Sequence, residues 1–419
     1  MISAWKKKAI GVASVMMLAL AGCSASPDGG KGSEIEVWLP TPFGAESTSD
    51  EQTAWGEILA PFEAEHDVKV NVTLIPWASY EEKYLTGVSS GSGPELGYMY
   101  TEMMGDYIVN GALASFDDLS ADFKDQMMYL DQGVVGGKQY ALPFVVGGMR
   151  MLYGNSDILA EAGVTEMPAT WDDFIGASLK VKETGKTPIL QEWGNPARGM
   201  MNSAFFPLLW QAGGDILTDD GSKTAFNSEA GLAAANFLMD QLDQGIMPAN
   251  VSGMTEEDVK GAFFSGDTGF MYGTDATRAE IEEAGVKYDV IPFLTNETGG
   301  TFVASDSLVM LDACKDKAVC TDLAEFILSG DQMTKFHEQI VSYPPVGLDE
   351  VVDKTDPFIA IYLDNADYLH SLPIAAGSAK VYNSLYIQLQ QMILGQKTPE
   401  QALKDAAAEG DAALQEAQQ

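Results

Sequence analysis

The N-terminal part of the chain alternates between strand patterns and helix patterns. Apolar residues recur at every second position in 35–39 and 68–74, which is typical of β-strands, and residues 96–100 form a third strand pattern. Between them, Trp55–Phe62 carries apolar side chains on one helical face, and Ser79–Glu82 is a capping box that begins a second helix. This order predicts right-handed crossovers, a mainly parallel sheet and ligand-binding loops beyond the carboxyl ends of the strands.

Helix signals dominate the remainder of the chain. A cap at Thr170 precedes one helix, and Ser228–Leu242 carries apolar residues along one face of another. Thr398 precedes a last helix that has proline at its first position. Residues 268–272 form a strand pattern between these helices. Together the patterns predict an α/β fold.

The first segment of the chain reads as a targeting signal. Three lysines at positions 6–8 precede an apolar run of about a dozen residues, too short to span a bilayer as a stable helix. Leu20–Cys23 resembles the lipobox of bacterial lipoproteins, which implies that Cys23 becomes the lipidated first residue. Residues 1–22 are therefore predicted to be a lipoprotein signal peptide and residues 23–33 a flexible tether. The alternative is an ordinary signal peptide with an incidental cysteine.

The charge of the chain excludes several partners. The 419 residues carry 61 acidic and 24 basic side chains, for a formal net charge of −37. Such a body does not bind nucleic acid by neutralising phosphates, and anionic lipid headgroups repel it, so the anchor would hold it at a membrane. The length and the apolar fraction of 46% indicate two or more well-packed domains.

Two cysteines remain in the body of the chain, Cys314 and Cys320. Outside the cytoplasm they can form a disulfide if a turn lies between them, because a straight helix would hold their Cα atoms about 9 Å apart. Free thiols are the alternative. No histidine or second cysteine pair lies nearby in the sequence, so no metal site is expected there.

Several short segments, in order along the chain, resemble the segments of one family. Met167–Phe174 resembles Pro-x-Thr-Trp-Asp-Glu-Phe, and Lys138–Phe144 resembles Gly-x-x-Tyr-Gly-Leu-Pro-Tyr with Ala141 in place of the usual glycine. The other matching segments are Trp55–Phe62, Val68–Ile75, Gly93–Leu96, Leu152–Asn155, Gln211–Asp215, Phe264–Gly269 and Gly395–Leu403. On this basis the chain is identified as a member of the extracellular solute-binding lipoproteins of bacterial ABC sugar importers, similar to the maltose-binding-protein-like carbohydrate-binding family.

The resemblance implies an α/β, two-lobed periplasmic-binding-protein-like fold. Each lobe would be a mainly parallel sheet flanked by helices, and hinge crossings would join the lobes around a ligand cleft. The implied limits are residues 34–143 plus about 303–343 for the N-terminal lobe, and about 144–302 plus 344–419 for the C-terminal lobe. The implied crossings lie near Pro143–Gly147, Thr295–Val303 and Tyr343–Asp349.

The resemblance also implies a function. The expected protein is anchored through palmitate on Cys23 at the extracellular face of the cell membrane. It captures an oligosaccharide and delivers it to ABC permease subunits, as a monomer, without cofactor and without catalysis.

Sugar binding sets the chemistry of the candidate site. Sugar hydroxyls hydrogen-bond to carboxylates, amides and arginine, while the faces of the sugar ring stack on flat aromatic side chains. Residues of these types in the loops after the strands are the candidates, namely Phe43, Glu46, Trp77, Tyr100, Glu102, Trp193, Asn195, Arg198, Asp275, Arg278 and Tyr343. For Trp77 and Trp193 a place in the core is an equal alternative. Trp55, Trp171 and Trp210 are expected in the core.

Other classes of function have weaker signals. Gly87–Gly91 matches the Gly-x-Ser-x-Gly pattern of serine hydrolases, but a helix precedes it where that motif needs a strand. Asp215–Gly221 lacks the ligand spacing of a calcium loop. A binding protein for a non-sugar solute such as a peptide, and a secreted carbohydrate-active enzyme, stay open as alternatives.

Overall fold

The computed structural model describes residues 34–41, 47–194, 197–341, 343–352 and 355–418. The predicted signal peptide, Cys23 and the predicted tether lie outside the described residues. None of the described helices combines the length and the apolar character needed to cross a bilayer.

Strands and helices alternate along the described chain. The strands are β1 (Glu34–Thr41), β2 (Lys69–Pro76), β3 (Leu96–Met99), β4 (Leu113–Ala114), β5 (Val134–Val135), β6 (Lys138–Gln139), β7 (Ala141–Gly147), β8 (Met151–Asn155), β9 (Thr187–Ile189), β10 (Thr268–Gly273), β11 (Tyr288–Ile291), β12 (Thr301–Phe302), β13 (Ala304–Leu311) and β14 (Leu369–His370). The helices are α1 (Thr48–His66), α2 (Tyr80–Ser90), α3 (Thr101–Val109), α4 (Ala121–Gln126), α5 (Ser156–Glu161), α6 (Trp171–Glu183), α7 (Ala197–Ala204), α8 (Phe206–Gln211), α9 (Glu229–Asp243), α10 (Glu256–Phe264), α11 (Asp275–Glu283), α12 (Lys317–Ile327), α13 (Gly330–Gln339), α14 (Pro357–Asp364), α15 (Ser378–Ile393) and α16 (Pro399–Ala417).

The first sheet has the strand order β2–β1–β3–β13–β4, and β7 also pairs with β13. The predicted parallel arrangement of the first three strands is confirmed, since β1 is parallel to both β2 and β3 and Val37 pairs with Val72 and Leu96. β13 is antiparallel to β3, β4 and β7. The sheet as a whole is therefore mixed rather than mainly parallel.

The second sheet has the strand order β11–β8–β10–β9. β8 is antiparallel to both of its neighbours, and only β9 and β10 are parallel. The expectation of a mainly parallel sheet is wrong for this lobe. β8 begins at Met151, directly after the chain leaves the first sheet, and Met151 pairs with Gly273 at the end of β10. The direction of a strand therefore depends on the end from which the chain enters the sheet. A short apolar run in the sequence does not specify that end.

The chain passes between the two sheets at short links. β7 ends at Gly147 in the first sheet and β8 begins at Met151 in the second, so residues 148–150 form one link. The amide of Met128 donates to the carbonyl of Val346 at 2.8 Å, so residues 346–348 lie beside residues 126–128 at the end of α4. The lobe limits drawn from the sequence stay a prediction.

Helix caps show how far local sequence decides local structure. Thr170 accepts from the amide of Asp173 at 3.1 Å, and the carboxylate of Asp173 accepts from the amide of Thr170 at 3.2 Å, which confirms the predicted helix start. The capping box predicted at Ser79 is wrong. Ser79 makes no side-chain cap and belongs to a short 3₁₀ turn, Trp77–Ser79, ahead of α2.

Large aromatic side chains fill the cores. Trp55 of α1 is buried beside Phe144 and Phe336, with ring centroids 6.1 and 5.5 Å apart. Trp171 of α6 is stacked on Phe237, 4.3 Å away. These two tryptophans and the buried Trp210 confirm the predicted core positions.

Cys314 and Cys320 are joined by a disulfide in the structure, with their Cα atoms 6.9 Å apart. Cys314 precedes α12, and Asp316 caps the helix by accepting from the amide of Val319 at 3.3 Å. The helix start therefore supplies the turn that the pairing requires.

The disulfide closes a short loop, so its removal has a modest expected effect. We expect Cys314→Ala/Cys320→Ala to lower the free energy of unfolding by about 2 kcal/mol, because an open loop restores chain entropy to the unfolded state. Urea denaturation measures the loss, and a reducing agent should lower the stability of the wild-type protein by the same amount. Equal stability of the oxidised and reduced wild type would contradict the pairing.

Candidate functional site

A cavity of about 400 Å³ lies between the two sheets. The first sheet and the segments next to it contribute Trp77, Tyr80, Glu81, Tyr100, Thr101, Glu102, Ala304, Ser305 and Asp306. The other side is formed by Arg150, Asn202, Phe302 and Leu372. The cavity therefore receives residues from both lobes, as a ligand cleft requires.

Trp77 supplies an exposed aromatic surface to this cavity. Its side chain is 42% exposed and lies at the end of β2, in the 3₁₀ turn before α2. The ring packs against Tyr80 and meets Tyr98 edge-on, with centroids 5.4 and 5.8 Å away. Tyr80 is fixed in turn, because its hydroxyl donates to the carbonyl of Tyr98 at 2.8 Å. A rigid buried layer thus supports a ring that stays accessible.

Carboxylates line the same side of the cavity. The hydroxyl of Tyr100 donates to Glu81, and the hydroxyl of Tyr98 donates to Asp306. Burial, together with the charge of Asp306, raises the pKa of Tyr98 well above its usual value, so the phenol stays a donor. Glu102 lies in the first turn of α3. Each acid is therefore oriented by the fold before any ligand arrives.

Arg150 faces these acids from the link between the sheets. Its Nε donates to the hydroxyl of Ser203 at 2.9 Å, its Nη1 donates to the carbonyl of Gly148 at 2.7 Å, and the guanidinium lies 5.4 Å from the ring centre of Phe302. No carboxylate of the described residues forms an ion pair with it. Burial lowers the pKa of Arg150, and the nearby charge of Glu192 opposes that effect.

Asn202 lines the cavity and contains a buried acceptor without a partner. The residue is only 5% exposed, and its Oδ1 atom has no hydrogen-bond partner among the described residues. A buried polar atom without a partner costs about 1–3 kcal/mol.

A second cavity, of about 250 Å³, lies behind Arg150 on the side of the second sheet. It is lined by Arg150, Glu192, Ser203, Glu256, Val259, Lys260, Met271, Tyr272, Gly273, Thr274, Ala276, Thr277 and Glu280. Lys260 forms ion pairs with both Glu256 and Glu280 at 2.9 Å. Burial raises the pKa of Glu192 to about 7, the charge of Glu256 adds to the increase, and Arg150 and Lys260 oppose it.

The structure brings three of the predicted ligand residues together. Trp77, Tyr100 and Glu102 line the first cavity and converge from the segments after β2 and β3. The rule that loops beyond the carboxyl ends of parallel strands form the site therefore locates this half of the cleft.

Trp193 is corrected from a candidate ligand residue to a core residue. It is completely buried and stacks parallel to Tyr386 of α15, with centroids 6.4 Å apart. Its indole nitrogen donates to Gln191 at 2.8 Å, and its carbonyl accepts from Tyr386 and Gln390. The ring that the sequence places beside a polar loop is thus covered by a helix from the C-terminal part of the chain.

The remaining described candidates lie outside the linings of the two cavities. Asp275 accepts from the hydroxyl of Tyr362 at 3.4 Å, and burial raises its pKa. Arg278 is paired with Asp356 at 3.3 Å and lies over the ring of Phe358. Arg278 is therefore occupied by contacts within the protein.

Tyr343 lies outside the linings of the two cavities and packs against the end of β7. A Cβ atom at Gly147 would lie 2.8 Å from the ring of Tyr343, so the end of β7 packs tightly on it. The candidates Phe43, Glu46 and Asn195 lie outside the described residues, and the side chain of Arg198 is not described.

Sequence reasoning missed three residues of the first cavity. Arg150, Asn202 and Asp306 line the first cavity but belong to a link, a helix and a strand, not to loops after predicted strands. A usable signal was the Gly147-Gly148 pair, since two glycines before an arginine mark a sharp change of chain direction. Within the described ranges, no group of three or more histidine, cysteine or acidic residues is arranged to hold a metal ion.

Comparison with known proteins assigns the class. The sequence profile of the bacterial extracellular solute-binding protein family matches residues 57–360. The chain belongs to this family, which confirms the assignment drawn from the short motifs. Members of the family bind solutes and are not enzymes, and they act outside the cytoplasm.

Relatives are similar over most of their length. A binding protein of Brucella abortus is 26% identical over 99% of both chains. The galactooligosaccharide-binding protein of Bacillus subtilis is 23% identical over 93% of both chains. The diacetylchitobiose-binding protein of Streptomyces coelicolor is 27% identical over 77% of both chains.

A solved structure supports the fold. The cyclic α-maltosyl-1,6-maltose-binding protein of Arthrobacter globiformis superposes with a TM-score of 0.76 at 21% identity, over 92% of this chain and all of that one. The two-lobed α/β class predicted from the sequence is therefore confirmed.

The buried position of Trp193 predicts a structural phenotype. We expect Trp193→Ala to lower the free energy of unfolding by about 3–5 kcal/mol, because a fully buried ring is lost from a packed site. Chemical denaturation measures the change. Trp193→Phe should restore most of the stability, whereas normal stability of Trp193→Ala would place the ring outside the core.

The raised pKa of Glu192 predicts a pH-dependent stability. Between the usual value of 4.5 and about 7, the carboxyl ionises in the unfolded chain but stays protonated in the folded one. Raising the pH across this window therefore lowers the free energy of unfolding, and the full loss of stability is present above the window. We expect Glu192→Gln to raise the melting temperature above about pH 7 but not below about pH 4.5.

Glu257→Gln, an exposed change on α10, is the matched control for this prediction. It should leave the melting temperature unchanged at both pH values. If the melting temperatures of Glu192→Gln and wild type differed by the same amount at both pH values, the raised pKa of Glu192 would be contradicted.

Proposed function

We propose that this protein is the receptor of an ABC importer, which binds an oligosaccharide in the cleft and delivers it to a membrane permease. The observation that carries the proposal is the first cavity, where the accessible Trp77 ring faces polar groups from both lobes. Asn202 and Arg150 line this cavity opposite Trp77.

The cavity matches the chemistry of a sugar. The apolar face of a pyranose ring stacks on Trp77. The hydroxyls around the edge of the ring form hydrogen bonds with the polar side chains of the cavity, namely Glu102, Asp306, Arg150 and Asn202. The names of the Bacillus and Streptomyces relatives point to oligosaccharides as well.

Binding would be coupled to closure of the lobes. Gly148 has a positive φ of 62° at the link between the sheets, where a change of backbone angle reorients one lobe relative to the other. A ligand that contacts Trp77 on one lobe and Asn202 on the other binds the closed state more tightly. This difference in affinity is what shifts the population towards closure.

The location proposed for the protein follows from the N-terminal sequence. A lipid on Cys23, with residues 23–33 as a tether, would hold an acidic monomeric body at the outer face of the membrane, near the permease. Mass spectrometry of the membrane-extracted protein tests the anchor directly. A mature chain that begins elsewhere than at a lipidated Cys23 would reject it.

Thermal-shift measurements test the ligand class. Diacetylchitobiose, galactotriose and maltotetraose are compared with a tripeptide, since a tight ligand raises the melting temperature by mass action. A shift with a sugar and none with the peptide supports the proposal. A shift with the peptide alone would reject it, and release of reducing sugar during incubation would indicate an enzyme.

The exposed ring predicts a defined loss of affinity. We expect Trp77→Ala to weaken binding of the sugar found in the screen by more than about tenfold, because a stacking contact of about 0.5–1.5 kcal/mol and its buried area are lost. Calorimetry measures the change. Tyr368→Ala is the control, because Tyr368 is equally exposed, at 42%, but does not line the cavity. Equal affinities of the two variants would reject the role of Trp77.

A further inference from the structure

An irregular segment, residues 371–377, runs from the second lobe to the first, and we call it the strap. At its start His370 is stacked on Trp210, with ring centroids 4.7 Å apart. Within the strap, the carbonyl of Pro373 accepts from the hydroxyl of Tyr382 at 3.4 Å. At its end the chain enters α15, which packs on α7, α9 and α16. The strap is therefore held by the second lobe.

The far end of the strap touches α3, the helix that follows β3 of the first sheet. The amide of Gly377 donates to the carboxylate of Asp106 at 3.2 Å. A Cβ atom at Gly105 would lie 2.3 Å from the carbonyl carbon of Ala375 and 2.5 Å from the amide nitrogen of Ala376. The backbones of α3 and the strap are thus in direct contact, without space for a methyl group between them.

We propose that the contact between α3 and the strap is a latch that holds the two lobes together over the first cavity. Gly105 permits the close approach, and Asp106 secures it with a hydrogen bond. The inference rests on the proposed function, in which closure retains the ligand. It extends that function to residues that line neither of the two cavities.

The first cavity lies between the latch and the link at residues 148–150. Arg150 of the link lines it, and so do Glu102 in the first turn of α3 and Leu372 of the strap. The latch residues follow Glu102 by about one helical turn. A rotation at the link that opens the cleft would therefore separate the strap from α3 and break the latch.

The glycine at position 105 is explained by this contact and not by the helix. Glycine in the interior of a helix is less favourable than alanine, because it loses more backbone freedom on folding. Gly105 lies within α3 and does not have the positive φ that would favour glycine. The atoms nearest to a Cβ atom at this position all belong to Ala375 and Ala376 of the strap. The requirement for glycine thus comes from the other lobe.

Asp106 supplies a cap that α15 lacks in its own sequence. The N-cap residue of α15 is Gly377, which has no side chain to accept from the first amides of the helix. A carboxylate near the start of a helix is also favoured by the helix dipole. Asp106 is exposed, so the surrounding water weakens this contribution. The hydrogen bond exists only while the lobes are together, so it adds to the stability of the closed arrangement alone.

Two glycine variants form a matched pair for the test. Gly105→Ala adds a methyl group at the latch, whereas Gly56→Ala adds the same group on α1, where nothing lies within 4 Å. Small-angle X-ray scattering and calorimetry compare them with wild type, using diacetylchitobiose, galactotriose and maltotetraose as probes.

We expect Gly105→Ala to bind the probe that wild type binds about tenfold more weakly, because fewer molecules reach the closed arrangement. Its radius of gyration should exceed that of wild type both with and without the probe. Gly56→Ala should match wild type in affinity and in radius.

Variants of Asp106 test the hydrogen bond separately. We expect Asp106→Ala to weaken binding of the same probe about threefold, mainly through faster dissociation. Asp106→Asn keeps an acceptor oxygen and should retain most of the affinity. Glu57→Ala, which removes an exposed acid from α1, is the control and should bind like wild type.

The outcomes separate the latch from the function on which it rests. If Gly105→Ala matches Gly56→Ala in affinity and radius, the latch is rejected while the proposed function stands. If Gly105→Ala melts far below wild type, Asp106→Ala decides, and an affinity equal to that of Glu57→Ala rejects the latch. If no probe binds to wild type, the oligosaccharide function is overturned. The radii of the two glycine variants without a probe then test the latch, and equal radii overturn it.

Discussion

The buried guanidinium of Arg150 is the interaction on which the cleft depends. It follows directly on the link between the sheets and is held by a backbone carbonyl, a hydroxyl and an aromatic ring. Its charge is compensated by carboxylates acting at a distance, such as Glu192 and Asp275, rather than by an ion pair. Because a buried charge needs polar partners, the two cavities on either side of it must stay polar. The position of Arg150 therefore connects the link between the sheets with the polar character of both cavities.

The link at residues 148–150 and the end of β7 before it pack against later segments of the chain. The tight approach of Tyr343 to Gly147 leaves no space for a side chain there. The hydroxyl of Tyr362 accepts from the amide of Met149 at 2.7 Å and faces Asp275. A rotation at this link would therefore change the contacts of Tyr343 with Gly147 and of Tyr362 with Met149. Such coupling is what lets contacts in the cleft control the angle between two rigid bodies.

Local sequence predicts local structure well and distant contacts poorly. The helix start at Thr170 depends on residues three positions apart, and the parallel strands β1–β3 follow from the regular alternation of strands and helices, so both follow from the sequence. Trp77 and Trp193 look alike in sequence, since each precedes a polar loop, yet one lines the cleft and the other is covered by Tyr386, which is nearly two hundred positions away. Arg150 was missed for a related reason, because its importance arises only when two sheets meet.

The energetics of Glu192 bear on how binding and stability are linked. A carboxyl held near a cation but without a hydrogen-bond donor lowers the stability of the unliganded protein above its pKa. Packing does not explain its presence, because glutamine would fill the same space without the penalty. Under the proposed function, a ligand hydroxyl that reaches the second cavity removes this penalty, so relief of a cost already present in the empty state adds to the affinity.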